Sequence, residues 1–161
     1  MSTKLGYAAG MAVRWLTPAE DRAWRGWRRM RLLLDLRIGR DLADAGLSEP
    51  DYDVLSTLTE APEGCWRAND LARRLLWSSS RLAHHVGRME RRGLVSRGAC
   101  DDDGRAAMVS LTPEGRSVLE RAAPGHVESV RRNFVDLLTP AEIDALAAIA
   151  DKVVAELEPR R

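Results

Sequence analysis

The chain has 161 residues, 45% hydrophobic and 30% charged, with 25 basic against 24 acidic side chains and a formal net charge of +1. That suffices for one ordinary domain with a core of its own, and no apolar run approaches the roughly 20 residues a membrane helix needs. Cys65 and Cys100 give no disulfide framework, and the mildly apolar stretch from Leu5 to Leu16 is broken by Arg14 and lacks a cleavage site, so it does not read as a secretory leader and a cytoplasmic location is expected.

Residues 1–16 read as a flexible tail. A Thr-Pro helix-start signal then recurs at Thr17-Pro18, Thr112-Pro113 and Thr139-Pro140. Each offers a Thr cap, a Pro whose missing N–H is harmless at the first helical position, and an early glutamate on the positive end of the helix dipole. The first helix is predicted to run to about Ala45 before Gly46, with Trp24, Trp27, Leu34, Ile38 and Leu42 on one stripe. Three short helices follow: Ser48 capping one through Leu58, Asn69 one through about Leu76, and Ser78 one through Arg92, ended by Gly93. Residues 94–97 and 106–111 then read as a two-stranded hairpin around a turn-rich loop from Gly98 to Gly104. The helix from Pro113 contains Pro124-Gly125, which predicts a kink or break near Ala123. The last helix carries the seam Ile143, Leu146, Ala150, Val153 and Leu157.

Charge distribution says more than net charge. Residues 67–105 hold nine arginines against five acids, and lysine occurs in the chain only at Lys4 and Lys152. Arginine's planar fork suits phosphates and guanine edges. On residues 78–92 a helical projection puts Leu82, Val86 and Met89 on one side and Ser80, His84, Gly87, Arg88 and Arg91 on the other, with Arg81 and His85 at the margins. Led by Ser78, that second face is rich in donors and nearly free of carboxylate, as contact with a DNA major groove requires. Arg105, after Asp103-Gly104, would sit at the hairpin tip and reach a minor groove or its phosphates. The run Asp101-Asp102-Asp103 lacks the spacing of a calcium loop, and no metal or other cofactor is expected. The chain has no Gly-rich phosphate loop, and the predicted elements scatter Cys65, Cys100 and His126, so an enzyme is not expected.

The order and spelling of these segments resemble the multiple-antibiotic-resistance regulator (MarR) family. The resemblance rests on Leu75-Leu76-Trp77-Ser78-Ser79-Ser80-Arg81-Leu82, Arg88-Met89-Glu90-Arg91-Arg92-Gly93-Leu94-Val95, Asp103-Gly104-Arg105 and Leu111-Thr112-Pro113-Glu114-Gly115, and covers roughly residues 17–158. It implies a mainly α, winged helix-turn-helix fold of about six helices with a small β-hairpin wing, working as a homodimer. Residues 17–46 and 113–158 would supply the dimerisation helices, and 48–112 the DNA-binding lobe. Ser78, Ser80, Arg81, His84, His85, Arg88 and Arg105 would face double-stranded DNA at a pseudo-palindromic operator. Gly87 departs from the family pattern, which is commonly acidic there. The implied function is a transcriptional regulator, a repressor released by a small aromatic or phenolic ligand, for which Trp24, Trp27, Arg28 and Arg31 would give stacking surface and cation. Two alternatives stay open: a redox response through Cys65 or Cys100, and a winged-helix protein-interaction module that does not bind DNA.

Overall fold

The computed structural model describes residues 13–61, 63–100 and 103–158, with the side chains of 99–106 outside the description. The expected tail over 1–16 therefore lies outside the described residues up to residue 12. The chain divides into two compact units, Met1–Leu33 and Leu34–Arg161. No helix among the described residues is long and apolar enough to cross a membrane.

All three Thr-Pro signals become capped helices. Helix α1 spans Pro18–Asp44, and at its start Glu20 N–H donates to Thr17 Oγ1 at 3.3 Å while Glu20 Oε2 accepts from Thr17 N–H at 2.7 Å. Thr112 caps α5 (Pro113–Asn133), and Thr139 forms the same reciprocal box with Glu142 at α6 (Pro140–Leu157). Between α1 and α5 lie α2 (Glu49–Thr59), β1 (Cys65–Arg67), α3 (Ala68–Arg74), α4 (Ser79–Arg91), β2 (Val95–Cys100) and β3 (Asp103–Leu111). A 3-10 turn, Val135–Leu137, joins α5 to α6.

Within the first unit, α1 presents a row of exposed apolar side chains, including Trp24, Trp27 and Met30. The second unit holds the core. Val54, Leu55 and Leu58 of α2, Leu71 of α3, Leu82, Val86 and Met89 of α4, Val95 of β2 and Val109 of β3 are all buried around one centre. Helix α6 contributes none of its side chains to that core: Ile143 is 39% exposed, Val153 49%, Ile149 62% and Leu157 76%.

The wing differs from the expected hairpin. β1, β3 and β2 form a three-stranded antiparallel sheet in that order, with Trp66 opposite Val109 and Arg97 also opposite Val109 on the other side. The predicted loop from Gly98 to Gly104 is mostly strand: Gly98 pairs with Met108 and Ala99 with Ala107, so ladder hydrogen bonds override the turn chemistry of Gly98. Three further expectations need correction. Arg67 occupies the cap of α3 and Asn69 lies inside that helix, because the extended backbone of β1 runs directly into it. α3 also stops at Arg74, ahead of the predicted Leu76, where Leu76 takes a left-handed φ of 54°. Finally, the helix does not break at Pro124, and α5 continues to Asn133; Pro124, Gly125 and Glu120 are exposed, so water can serve the carbonyl that the proline leaves without a donor.

Gly115 explains why α5 leaves the wing where it does. A Cβ on Gly115 would lie 1.9 Å from the Leu94 carbonyl oxygen and 3.1 Å from Leu111 Cδ1. Only glycine lets the first turn of α5 rest on the backbone that links α4 to β2. Thr112 locks the contact, its hydroxyl 2.7 Å from Gly93 O and 3.0 Å from Leu94 O.

Candidate nucleic-acid interface

Helix α4 begins where Ser78 accepts the Arg81 N–H at 3.2 Å, and its apolar side is fixed in the core by Leu82, Val86 and Met89. That anchoring decides the rest by helical geometry. Ser80, Arg81, His84, Arg88 and Arg91 all lie exposed, as does Ser78 at the cap. Arg81 stacks its guanidinium over the Trp77 ring, 4.1 Å from the centroid, which stiffens a long side chain without neutralising it.

The only carboxylate of α4 is removed from this face. Glu90 accepts from Arg97 Nε at 2.9 Å and from the Arg97 backbone N–H at 3.2 Å, and these bonds hold its carboxyl below the usual range. Gly87 makes room for that pair. It is buried, and a Cβ there would meet Arg97 Nη2 at 3.1 Å. Among the described residues, Arg81, Arg88 and Arg91 enter no salt bridge, so the face carries donors and positive charge together.

His85 departs from the expectation that placed it beside the DNA-facing residues. It is only 6% exposed, edge-on to Trp77 with ring centroids 5.4 Å apart, and Nε2 lies 3.0 Å from Asp51 Oδ1. The approach is close enough for an ion pair but lacks the alignment of a good hydrogen bond. The physical reason is that Trp77 and the Asp51 side chain of α2 close over the margin of the helix as well as its apolar centre. Burial pushes the imidazole pKa below its ordinary value, against the opposing pull of Asp51.

Asp51 is the residue that sequence reasoning missed. It closes a capping box with Ser48, its Oδ2 accepting the Ser48 N–H at 3.0 Å, and the same oxygen accepts from Arg92 Nη1 at 2.7 Å. Arg92 also donates to the Gly46 carbonyl at 2.7 Å, so one buried carboxylate ties the end of α1, the start of α2 and the end of α4. Burial raises its pKa, but the bonds from Ser48 and Arg92 overcome that and leave it lowered. The Ser-x-x-Asp spacing was a visible sign of the cap alone.

The other predicted site residues lie elsewhere. Arg105 is in β3, and its side chain falls outside the described residues, as does that of Cys100. Trp24, Trp27, Arg28 and Arg31 belong to the unit Met1–Leu33, where the two indoles stack with centroids 5.1 Å apart and Arg31 lies 5.8 Å from the Trp27 centroid. Cys65 is half-buried and accepts from Ser110 Oγ at 3.1 Å. Its register opposite Ser110, with Cys100 opposite Asp103, sets the two cysteines about seven strand residues, ~23 Å, apart, well beyond the ~7 Å Cα separation a disulfide can bridge.

A model of the MarR family matches residues 45–106. The chain is similar to AbsC, a MarR family transcriptional regulator from Streptomyces coelicolor: 37% identity, TM-score 0.88, covering 92% of this chain and 100% of AbsC. It is also similar to Sco3205, a MarR family transcriptional regulator from the same organism whose structure was solved in complex with DNA: 39% identity, TM-score 0.88, covering 92% of this chain and 94% of Sco3205. The HTH-type transcriptional regulator PecS of Dickeya dadantii (strain 3937) is 29% identical over 114 residues, which is 70% of this chain and 66%, just under two thirds, of PecS.

Proposed function

The chain belongs to the MarR family of transcriptional regulators, and from that premise we propose that it works as a cytoplasmic homodimer that represses transcription by occupying a pseudo-palindromic operator. The observation that carries the reading is the exposed face of α4: Ser78, Ser80, Arg81, His84 and Arg88 offer donors and charge, while the carboxylate of Glu90 is turned aside by Arg97. These residues enter the major groove, and Arg105 on the wing reaches the adjacent minor groove or its phosphates. Similarity to Sco3205, solved on DNA, supports it. The open seam of α6 supports the dimer, with residues 17–46 and 113–158 as its dimerisation helices and 48–112 as the DNA-binding lobe of a single domain spanning 17–158. Two such helices on one side of the duplex place half-site centres about one helical turn, ~10 bp, apart. The Trp24–Trp27 stack with Arg28 and Arg31 supports an aromatic or phenolic anion as the releasing ligand.

The test is selection of duplexes from a random pool, followed by affinity measurements on the selected and a scrambled duplex at two salt concentrations. Arg88→Ala is expected to cost ~1 to 3 kcal/mol on the selected duplex and to relax preference at particular base pairs. Arg105→Ala is expected to weaken both duplexes evenly and lower the salt dependence. If both variants bind like the parent, DNA does not lie on this face and the protein-interaction alternative takes its place.

A further inference from the structure

Arg88 is held in a way that neither the family resemblance nor the charge pattern requires. Its Nη2 lies 2.7 Å from His85 Nδ1 and its Nη1 lies 3.2 Å from His84 Nδ1. A guanidinium only donates, so in these contacts each Nδ1 acts as the acceptor and the His85 ring carries its proton on Nε2. That tautomer puts the proton on Nε2, the atom that lies 3.0 Å from Asp51 Oδ1 though not aligned for a good hydrogen bond. A chain of contacts thus runs from a buried carboxylate through a buried imidazole to an exposed arginine.

We propose that His85 is a positioning residue: seated between Asp51 and Arg88, its neutral ring fixes the Arg88 guanidinium in one orientation, and its protonation releases that arginine and erodes discrimination between DNA sequences. The proposal rests on the reading of α4 as the DNA-facing helix. Arg88 has five N–H donors and spends two on the imidazoles, so the rest of its fork stays available for a base edge. A side chain already held in place loses less rotamer entropy on binding than a free one.

Protonation of His85 places a hydrogen on Nδ1, the atom that now accepts from Arg88. Two donors then face each other across 2.7 Å, and the guanidinium must swing away. The groups facing the ring pull in opposite directions. From α2, Asp51 favours the cation and Asp53 feels its charge; from α4, Arg88 and Arg81 oppose it, His84 shares the clasp, and Arg92 competes for Asp51. Trp77 covers the ring edge and keeps water away. With burial foremost, the balance lies with the neutral ring at neutral pH, and the change is expected below about pH 6.5, the ordinary histidine value.

The test measures affinity for a duplex selected by the parent protein and for its scrambled counterpart at pH 7.5 and 5.5, using the parent, His85→Phe, His85→Gln, Arg88→Ala and the His85→Phe/Arg88→Ala double variant. Thermal melting by circular dichroism accompanies each binding measurement to confirm folding. The parent is expected to lose discrimination by about 3- to 10-fold in acid, equal to ~0.7–1.4 kcal/mol and within the net worth of one hydrogen bond. His85→Phe should show that loss already at pH 7.5, and the double variant should discriminate no worse than Arg88→Ala alone. His85→Gln, which keeps a donor for Asp51 and never ionises, should be indifferent to pH, and it carries the test if the Phe variant does not fold. Losses that add in the double variant mean His85 acts through packing and overturn the proposal. An acid effect that persists in His85→Gln belongs to another group and overturns it equally. If Arg88→Ala discriminates like the parent, the DNA-facing reading of α4 itself has failed, a result distinct from a failed relay in which Arg88→Ala loses discrimination and His85→Phe does not.

Discussion

Gly115→Ala pits helix propensity against packing, and the structure says which wins. Alanine in place of glycine stabilises a helix interior by up to ~1 kcal/mol, and less in a first turn where Thr112 already caps the backbone. Against that, the new Cβ would stand 1.9 Å from Leu94 O and 2.9 Å from Leu94 C, so the start of α5 must move by more than 1 Å from a carbonyl fixed between α4 and β2. Overpacking of this kind costs ~1–3 kcal/mol, and the shift also stretches the bond that the one Thr112 hydroxyl hydrogen shares between Gly93 O and Leu94 O and the Thr112 N–H bond to Leu94 O, each worth about 1 kcal/mol. A net loss of about 2–4 kcal/mol follows, and at ~2–4 °C per kcal/mol for a chain of this size the midpoint should fall by about 5–15 °C. Thermal melts followed by circular dichroism at one fixed protein concentration measure it. Gly125→Ala in the same helix is the control: nothing lies within 4 Å of its Cβ position, so the midpoint should hold or rise. A Gly115→Ala protein as stable as the parent would refute the close approach of α5 to Leu94.

Two further outcomes can be checked on the same protein. His126 is half-buried against the Tyr52 ring, centroids 4.2 Å apart, and burial depresses its pKa below 6.5 with Asp53 opposing. Its neutral form is the one the fold prefers, so this contribution is complete above pH 6.5 and is lost as pH falls through the depressed value; His126→Phe, which keeps the ring, should flatten the loss of melting temperature between pH 7 and 5, and an unchanged slope would contradict it. Val153→Glu on the open seam of α6 should convert a dimer to monomer in sedimentation at micromolar concentration. If α6 is an ordinary solvated face instead, the substitution should change stability by less than about 0.5 kcal/mol and leave the mass unaltered.

Much of this was legible in the sequence because the signals were local. Thr17, Ser48, Ser78, Thr112 and Thr139 each cap a helix through bonds reaching three residues ahead, and the stops at Gly46 and Gly93 take the positive φ that only glycine adopts freely. What escaped was non-local. Cys65-Trp66-Arg67 has no strand pattern of its own and becomes β1 only because Met108, Val109 and Ser110 arrive opposite it. Leu76 holds a left-handed φ with its side chain 90% exposed, a choice no propensity favours. His85 stood at the margin of the helical projection, about 100° from His84, and a projection cannot show that Trp77 and Asp51 close over that margin. Asp51, its partner, carried a cap signal that concealed its second role.

The contrast between Arg97 and Arg88 shows how the fold keeps the exposed face of α4 positive. Both guanidiniums are oriented, and an unoriented one would lose more rotamer freedom on binding. Arg97 is oriented by the carboxylate of Glu90, at 2.8 Å, and that pair presents little net charge to a phosphate. Arg88 is oriented by two imidazole nitrogens that accept its hydrogen bonds without contributing negative charge. The one carboxylate that supports the clasp, Asp51, sits behind His85 and is offset by Arg92. Electrostatic attraction falls with distance and is screened within about 10 Å at ordinary salt, so moving the anion one side chain back from the surface preserves most of the cation's pull on an approaching anion. Neutral acceptors in front and a compensated acid behind therefore give an arginine that is both fixed and charged, which a direct Asp or Glu brace on the exposed face of α4 could not supply.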